Sequence, residues 1–138
     1  MTDLSVLDMN IDDIVEPREA PDGEYIAQVS GVKFDRIPNE KQTPYADLEF
    51  KLISPQGDQD LTGVNLNRPV LGRLWLSKDA VGGAKRDLKK FGVDVSGLPL
   101  KEAFEKVIGE TAVVKVIRDD YAAKKGRDRA IIQNWRAA

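Results

Sequence analysis

From Gly23 to Arg36 the chain alternates apolar and polar residues, and the alternation changes phase partway along. Tyr25, Ala27 and Val29 share one face, whereas beyond Gly31 the apolar positions are Val32 and Phe34, one residue out of step. A one-residue shift at a glycine is what a β-bulge does to a long strand: the extra residue bends it and turns its face. A strand kinked in this way can serve two sides of a small barrel. Phe34, in phase with Val32, is expected in the core. Two further alternating runs follow. "ADLEFKLI" points Leu48, Phe50 and Leu52 inward and Asp47, Glu49 and Lys51 outward, and "LTGVNL" puts Thr62, Val64 and Leu66 in phase as a third strand. "RLWLS" continues that strand or forms a short one of its own beyond Pro69.

The period then changes. Within "SKDAVGGAKRDLKKFG" the residues Val81, Ala84, Leu88 and Phe91 form a helical stripe, with Ser77 as the expected cap and Phe91-Gly92 as the stop. Gly82 and Gly83 weaken this helix by about 1 kcal/mol each relative to Ala. A second helix is expected from Pro99, at the first-turn position, through Leu100, Phe104, Val107 and Ile108 to Gly109. "TAVVKVI", apolar on both faces, reads as a central strand, and "RAIIQNW" closes the chain.

Three strands, a helical insert and two strands give a mostly β fold. The expectation is a five-stranded OB-type Greek-key barrel with the helical insert between strands three and four, a generic α+β sandwich being the rival. At 138 residues the chain is read as one such domain over 23–138. Residues 1–22 are expected to be an acidic, flexible N-terminal arm ending in the Pro-rich "EPREAPDG". In that arm Leu4, Leu7, Ile11 and Ile14 are spaced for a short helix against a partner or a second subunit of a homodimer, with a frayed tail as the alternative.

Composition narrows the function. With no Cys and no His, the chain has no disulfide, no cysteine nucleophile and neither of the commonest zinc ligands, which leaves carboxylate-only metal chemistry open; no metal, no cofactor and no catalytic residue is expected. Its N-terminus is acidic where a secretory signal would be basic and then apolar, and no apolar run nears the ~18 to 20 residues that span a bilayer. A location in the cytoplasm and no membrane partner are therefore expected. The arm carries seven acids against Arg18, a net charge of -6, whereas the remainder carries 20 bases against 16 acids, a net +4. A mildly basic body with an acidic arm fits a polyanion-binding surface or, equally, an ordinary mixed surface with a solubilising tail.

On an OB barrel, oligonucleotides cross the face of strands two and three and the loops joining strands one to two and four to five. Here the first loop, "DRIPNEKQTPY", carries Arg36, Lys41 and Tyr45, and the second, "RDDYAAKKGRDR", carries Arg118, Tyr121, Lys124, Lys125, Arg127 and Arg129. Rings stack on bases and cations neutralise phosphates, neither of which reads sequence. Gly126 would let the second loop flex along a backbone. Arg73 and Trp75 share a strand face opposite Leu74 and Leu76, so Trp75 is either a stacking platform or core; Trp135 poses the same choice. Lys51 and Lys115, on strands two and four, complete the basic set. Asp47, Glu49 and Lys51 also echo the carboxylate-x-lysine strand of metal-dependent nucleases, but are better explained as the wet face of an amphipathic strand. Asp119-Asp120 reads as a turn cap.

The series "APDGEYIAQVSGV", "YADLEFKLI", "LNRPVLGRLWL", "LKKFGVD", "IGETAVVKV" and "GRDRAIIQNW" resembles a family of small phage proteins from replication and recombination cassettes, over about residues 20–136. Gly23, Tyr25, Leu48, Phe50, Gly109, Asn134 and Trp135 match its recurring pattern, while the acidic arm and the Pro- and Gln-containing first loop depart from it. The resemblance implies an OB-fold single-stranded-DNA-binding protein that is not an enzyme, acting in phage DNA replication or recombination with the proteins of those processes, in the host cell cytoplasm. The alternative is a protein–protein adaptor on the same barrel, docking through its arm.

Overall fold

In the computed structural model, which describes residues 4–138, the first strand shifts register where the alternation changes phase. Residues 1–3, including Asp3 of the acidic arm, lie outside the described residues. Strand β1 (Gly23–Arg36) pairs antiparallel with β2 (Pro44–Pro55), and its register slips between Val29 and Gly31 and again between Ile26 and Ala27. Up to Gln28 β1 also pairs with β4 (Thr111–Arg118); beyond the bulge β2 is its only ladder partner. Strand β3 (Val70–Trp75) pairs with β2, and β5 (Ala130–Ala137) pairs antiparallel with β4 and meets β3 in parallel at Leu71 and Ile131. The five strands close in the order β1-β2-β3-β5-β4. Two helices, α1 (Val81–Lys89) and α2 (Leu100–Lys106), stand between β3 and β4, and a short α3 (Asp120–Lys124) between β4 and β5. No helix among the described residues is long and apolar enough to cross a membrane.

The inward rows fill the ring. Tyr25, Ala27, Val29, Leu48, Phe50, Leu52, Val114 and Val116 are buried, and the phase of β1, β2 and β4 is that expected from alternation. Outward-facing Val113 is buried as well, as the two-sided apolar run of β4 requires. Phe50, Phe91 and Trp135 form one aromatic cluster, their ring centroids 5.3 to 6.2 Å apart. The Trp135 indole Nε1 donates to the Asp87 carbonyl of α1 at 3.0 Å, so the last strand ties the helical insert to the barrel. Gly72 is required by this cluster: a Cβ there would stand 3.0 Å from Phe50 Cε2 and 3.3 Å from Trp135 Cζ3.

Several elements differ from expectation. "LTGVNL" is not a strand; among the described residues its only ladder contact is one parallel bridge from Val64 to Arg18. The Asp60 and Asn65 side chains accept from the Thr62 and Asn67 amides, and these local bonds, with Gly63 at φ 79°, turn the backbone away from a ladder. The third strand is instead the separate run beyond Pro69. Ser77 serves α1 through its carbonyl, which accepts from Val81 N, and its hydroxyl caps nothing; residues 77–80 wind a turn before the helix proper. Pro99 is the N-cap of α2, one position earlier than expected, and Ile108 lies past its end and is exposed. Phe34 is 41% exposed instead of core. It sits where β1 has already left β4, and α2 covers part of it through an edge-to-face contact with Phe104 at 5.4 Å.

The root of the arm lies against the barrel. Ala20 is buried, Arg18 N donates to the Gly63 carbonyl at 2.9 Å, and the Tyr25 hydroxyl donates to the Pro21 carbonyl at 2.7 Å. Before that, residues 5–8 and 11–13 form two 3-10 turns with no buried residue, in place of one continuous helix.

Candidate nucleic-acid interface

Register places four side chains of β2 and β3 in two facing pairs on the outer surface of the ring: Tyr45 opposite Trp75, and Asp47 opposite Arg73. Directly opposed residues in antiparallel strands hold their Cβ atoms within about 5.5 Å, so each pair is in contact by construction. The Tyr45 and Trp75 rings meet edge to face at 5.8 Å. The Arg73 guanidinium lies over the Tyr45 ring, 3.8 Å from its centroid, and 5.6 Å from that of Trp75. Its Nε and Nη2 donate to the two Asp47 carboxylate oxygens at 2.9 and 3.0 Å.

This geometry decides where Trp75 lies and shows what the carboxylates of the strand face contact. Asp47 points outward as expected, yet it is only 7% exposed, because Arg73 covers it. A carboxylate with both oxygens bound to a guanidinium serves that guanidinium, and Glu49 faces Lys33 at 3.9 Å. Among the described residues no group of three or more acidic, His or Cys side chains is placed to hold a metal ion. The hydrogen bond to Asp47 raises the Arg73 pKa further above its ordinary value. Bidentate pairing also fixes the plane of the guanidinium. Trp75 stands outside the core, 41% exposed, whereas Trp135 is inside at 6%. Arg73, Tyr45 and Trp75 thus make a rigid, flat-sided platform whose one positive charge is already balanced.

Unbalanced charge lies beside it. A cleft of about 760 Å³ runs along the same face, between the arm root at Pro17–Ala20, the loop before β3 and the chain entering β5. Lys33, Asp47 and Glu49 line one wall, and Arg68, Arg127 and Arg129 others. Among the described residues these three arginines form no ion pair, so their charge is available to an anion.

The second loop is more ordered than a flexing hairpin. Asp119 caps α3, its Oδ1 accepting from the amides of Tyr121 and Ala122, as the turn reading anticipated. Gly126, at φ 74°, ends the helix: its amide donates to Ala123 O, and the Arg127 amide donates to Ala122 O. This is the Schellman pattern, so the glycine fixes the loop where flexibility was expected. Tyr121 is presented on α3 at 66% exposure, with Lys125 Nζ 5.6 Å from its ring centroid and Lys124 beside it. In the first loop Arg36 and Lys41 are exposed on a tight turn, closed by Ile37 N donating to Thr43 O at 3.1 Å.

The other basic residues lie elsewhere. Lys51 is exposed on β2 beyond the last β3 pair. Lys115 pairs with Glu24 at the opening of β1, whereas Tyr45 pairs with Asp35 at its far end. Arg118 is occupied by the arm root and the loop: it donates to the Ala20 carbonyl at 2.6 Å and bridges Asp22 and Asp128. Sequence reasoning passed over Lys33 and Arg68 in the cleft and the role of Asp47 in holding Arg73. Arg68 carries no signal beyond its charge before Pro69, and the other two become visible only once strand register is known. Set against known protein families and curated proteins, the chain matches no family model and no curated sequence.

Proposed function

We propose that the protein is an OB-type Greek-key barrel that binds single-stranded DNA without sequence preference, serving phage DNA replication or recombination. The ring order, with β1 closing onto β4 and a helical insert after β3, supports the barrel type. The carrying observation is the Tyr45–Arg73–Trp75 platform beside a cleft on the β2–β3 face whose lining includes three unpaired arginines, Arg68, Arg127 and Arg129, with Glu19. Exposed rings offer bases a stacking surface worth about 1–3 kcal/mol each, and free guanidinium groups offer phosphates a counter-charge. Neither contact reads a base edge. Duplex DNA, with its bases already stacked, gains only the phosphate part.

Trp75 supplies the test. Adding oligo-dT at low salt is expected to quench tryptophan fluorescence in the wild type but not in Trp75→Phe, whose remaining indole, Trp135, is in the core. Equal quenching in both proteins, or none in either, contradicts this function.

A further inference from the structure

We infer that the groove between α1 and α2 receives the N-terminal arm of a second copy of this chain, so that molecules associate head to tail. The groove holds about 570 Å³; Leu88, Val93, Leu100 and Ala103 are among its apolar walls, and its charged lining residues are Lys85 and Lys89 against Asp94, whose carboxylate accepts from the Ser96 amide. These lysines are exposed, lie four residues apart on one face of α1, and form no ion pair among the described residues. Gly82, also lining the groove, adds an independent sign. A Cβ built there would meet nothing within 4 Å, so no internal contact demands the glycine, which costs a helix about 1 kcal/mol relative to Ala. Its absent side chain leaves the backbone of α1 open to close approach by a guest.

The arm has the matching chemistry. Leu4, Leu7, Ile11 and Ile14 recur at spacings of three, four and three, and all are exposed, Leu7 at 76% and Ile11 at 77%. Val6, Met9 and Val15 are exposed too. Apolar side chains gathered like this in water mark a docking element, and their sequence spacing is that of a helix laid in a groove, which the two separate 3-10 turns would join to form on docking. Asp8, Asp12, Asp13 and Glu16 are interspersed among them, and would face Lys85 and Lys89.

The arm's apolar residues stay exposed and none of them lines the molecule's own groove, which points to a second copy as the source. The arm is rooted where Ala20 and Asp22 meet Arg118, at the end of β4, whereas α2 leads into the start of β4 at Thr111. The eight residues of β4 separate these ends by roughly 25 Å. Each molecule therefore carries an arm at one end of the barrel and a groove at the other, and pairing unlike surfaces repeats from copy to copy. Along a bound single strand, such contacts would make binding cooperative, although the association itself needs no DNA.

Sedimentation velocity on the full chain without DNA tests this over a concentration series. The wild type is expected to grow in mass with concentration. Leu7→Asp with Ile11→Asp, and separately Lys85→Glu with Lys89→Glu, should each weaken association by more than about tenfold. All four positions are exposed, so thermal unfolding should match the wild type. Mixing the two variants should restore a contact that stops at a one-to-one pair, since each contributes one working half. A wild type that stays monomeric, as it would if each arm folded back onto its own groove, overturns the inference. So does self-association unchanged in either variant, or a mixture that fails to regain it.

Discussion

The two tryptophans sit on opposite surfaces of one closed sheet and have opposite surroundings. Trp135, on β5, is packed between Phe50 and Phe91, and its indole nitrogen is bonded to α1. Trp75, on β3, leans on Tyr45 and the Arg73 guanidinium and keeps its remaining surface in water. The inner tryptophan joins elements of the fold. The outer one is left 41% exposed, and holding a large ring in water is explicable if something stacks on it. The same residue type thus separates the part of the molecule that makes the barrel from the part proposed to bind DNA.

The largest expected effect breaks the inner side. Trp135→Ala should destabilise the protein by about 3–5 kcal/mol, read as a fall in the denaturant midpoint. Trp75→Ala, which loses only the ring and guanidinium contacts of a partly exposed side chain, should cost less, about 1–2 kcal/mol. Its loss should appear in oligo-dT affinity, by about 1–3 kcal/mol, or roughly 5- to 150-fold. Equal destabilisation by both substitutions would erase the distinction. Gly72→Ala adds a methyl beside Phe50 and Trp135 and should cost about 1–3 kcal/mol of stability through overpacking.

A pH dependence sharpens the inner side further. Burial raises the pKa of Tyr25 above its usual 10.0, outweighing the opposing charge of Arg118. The folded state therefore holds the phenol proton more tightly than the unfolded chain does. The stability this contributes is fully present below pH 10.0 and is lost as pH rises through the folded value. Melting temperature should fall more steeply above that point in the wild type than in Tyr25→Phe. A smaller effect probes the outer side. In Asp47→Ala the Arg73 charge is no longer balanced and becomes free to meet a phosphate. The slope of log affinity against log salt for oligo-dT should then steepen by about one.

The inner surface was largely legible in the sequence and the outer one only in part. Period-two alternation in "EYIAQVS" and "ADLEFKLI" reports burial directly, because one face of each strand must leave water, and the phase change at Gly31 marked the register shift. Tyr45, Arg73 and Trp75 were recognisable as candidates by residue type and face. That Arg73 is clamped by Asp47 was not, because the pairing depends on the register of β2 against β3, and that register is set across a long loop of local turns. "LTGVNL" and Phe34 failed for related reasons. Alternation says which side a residue faces, but not whether a neighbouring strand is present to cover it. Gly126 shows the same limit, since a glycine in a basic loop is equally at home in a flexible tip and in a helix cap.

The most direct measurement is the dissociation constant of oligo-dT across a salt series, with wild type and Trp75→Ala side by side. The predicted result is two steep, nearly parallel lines, the variant weaker by a constant factor, because stacking is lost while the phosphate contacts of the neighbouring cleft remain. Superimposed lines, affinity that ignores salt, or no binding at low salt would contradict the assignment of this face to single-stranded DNA.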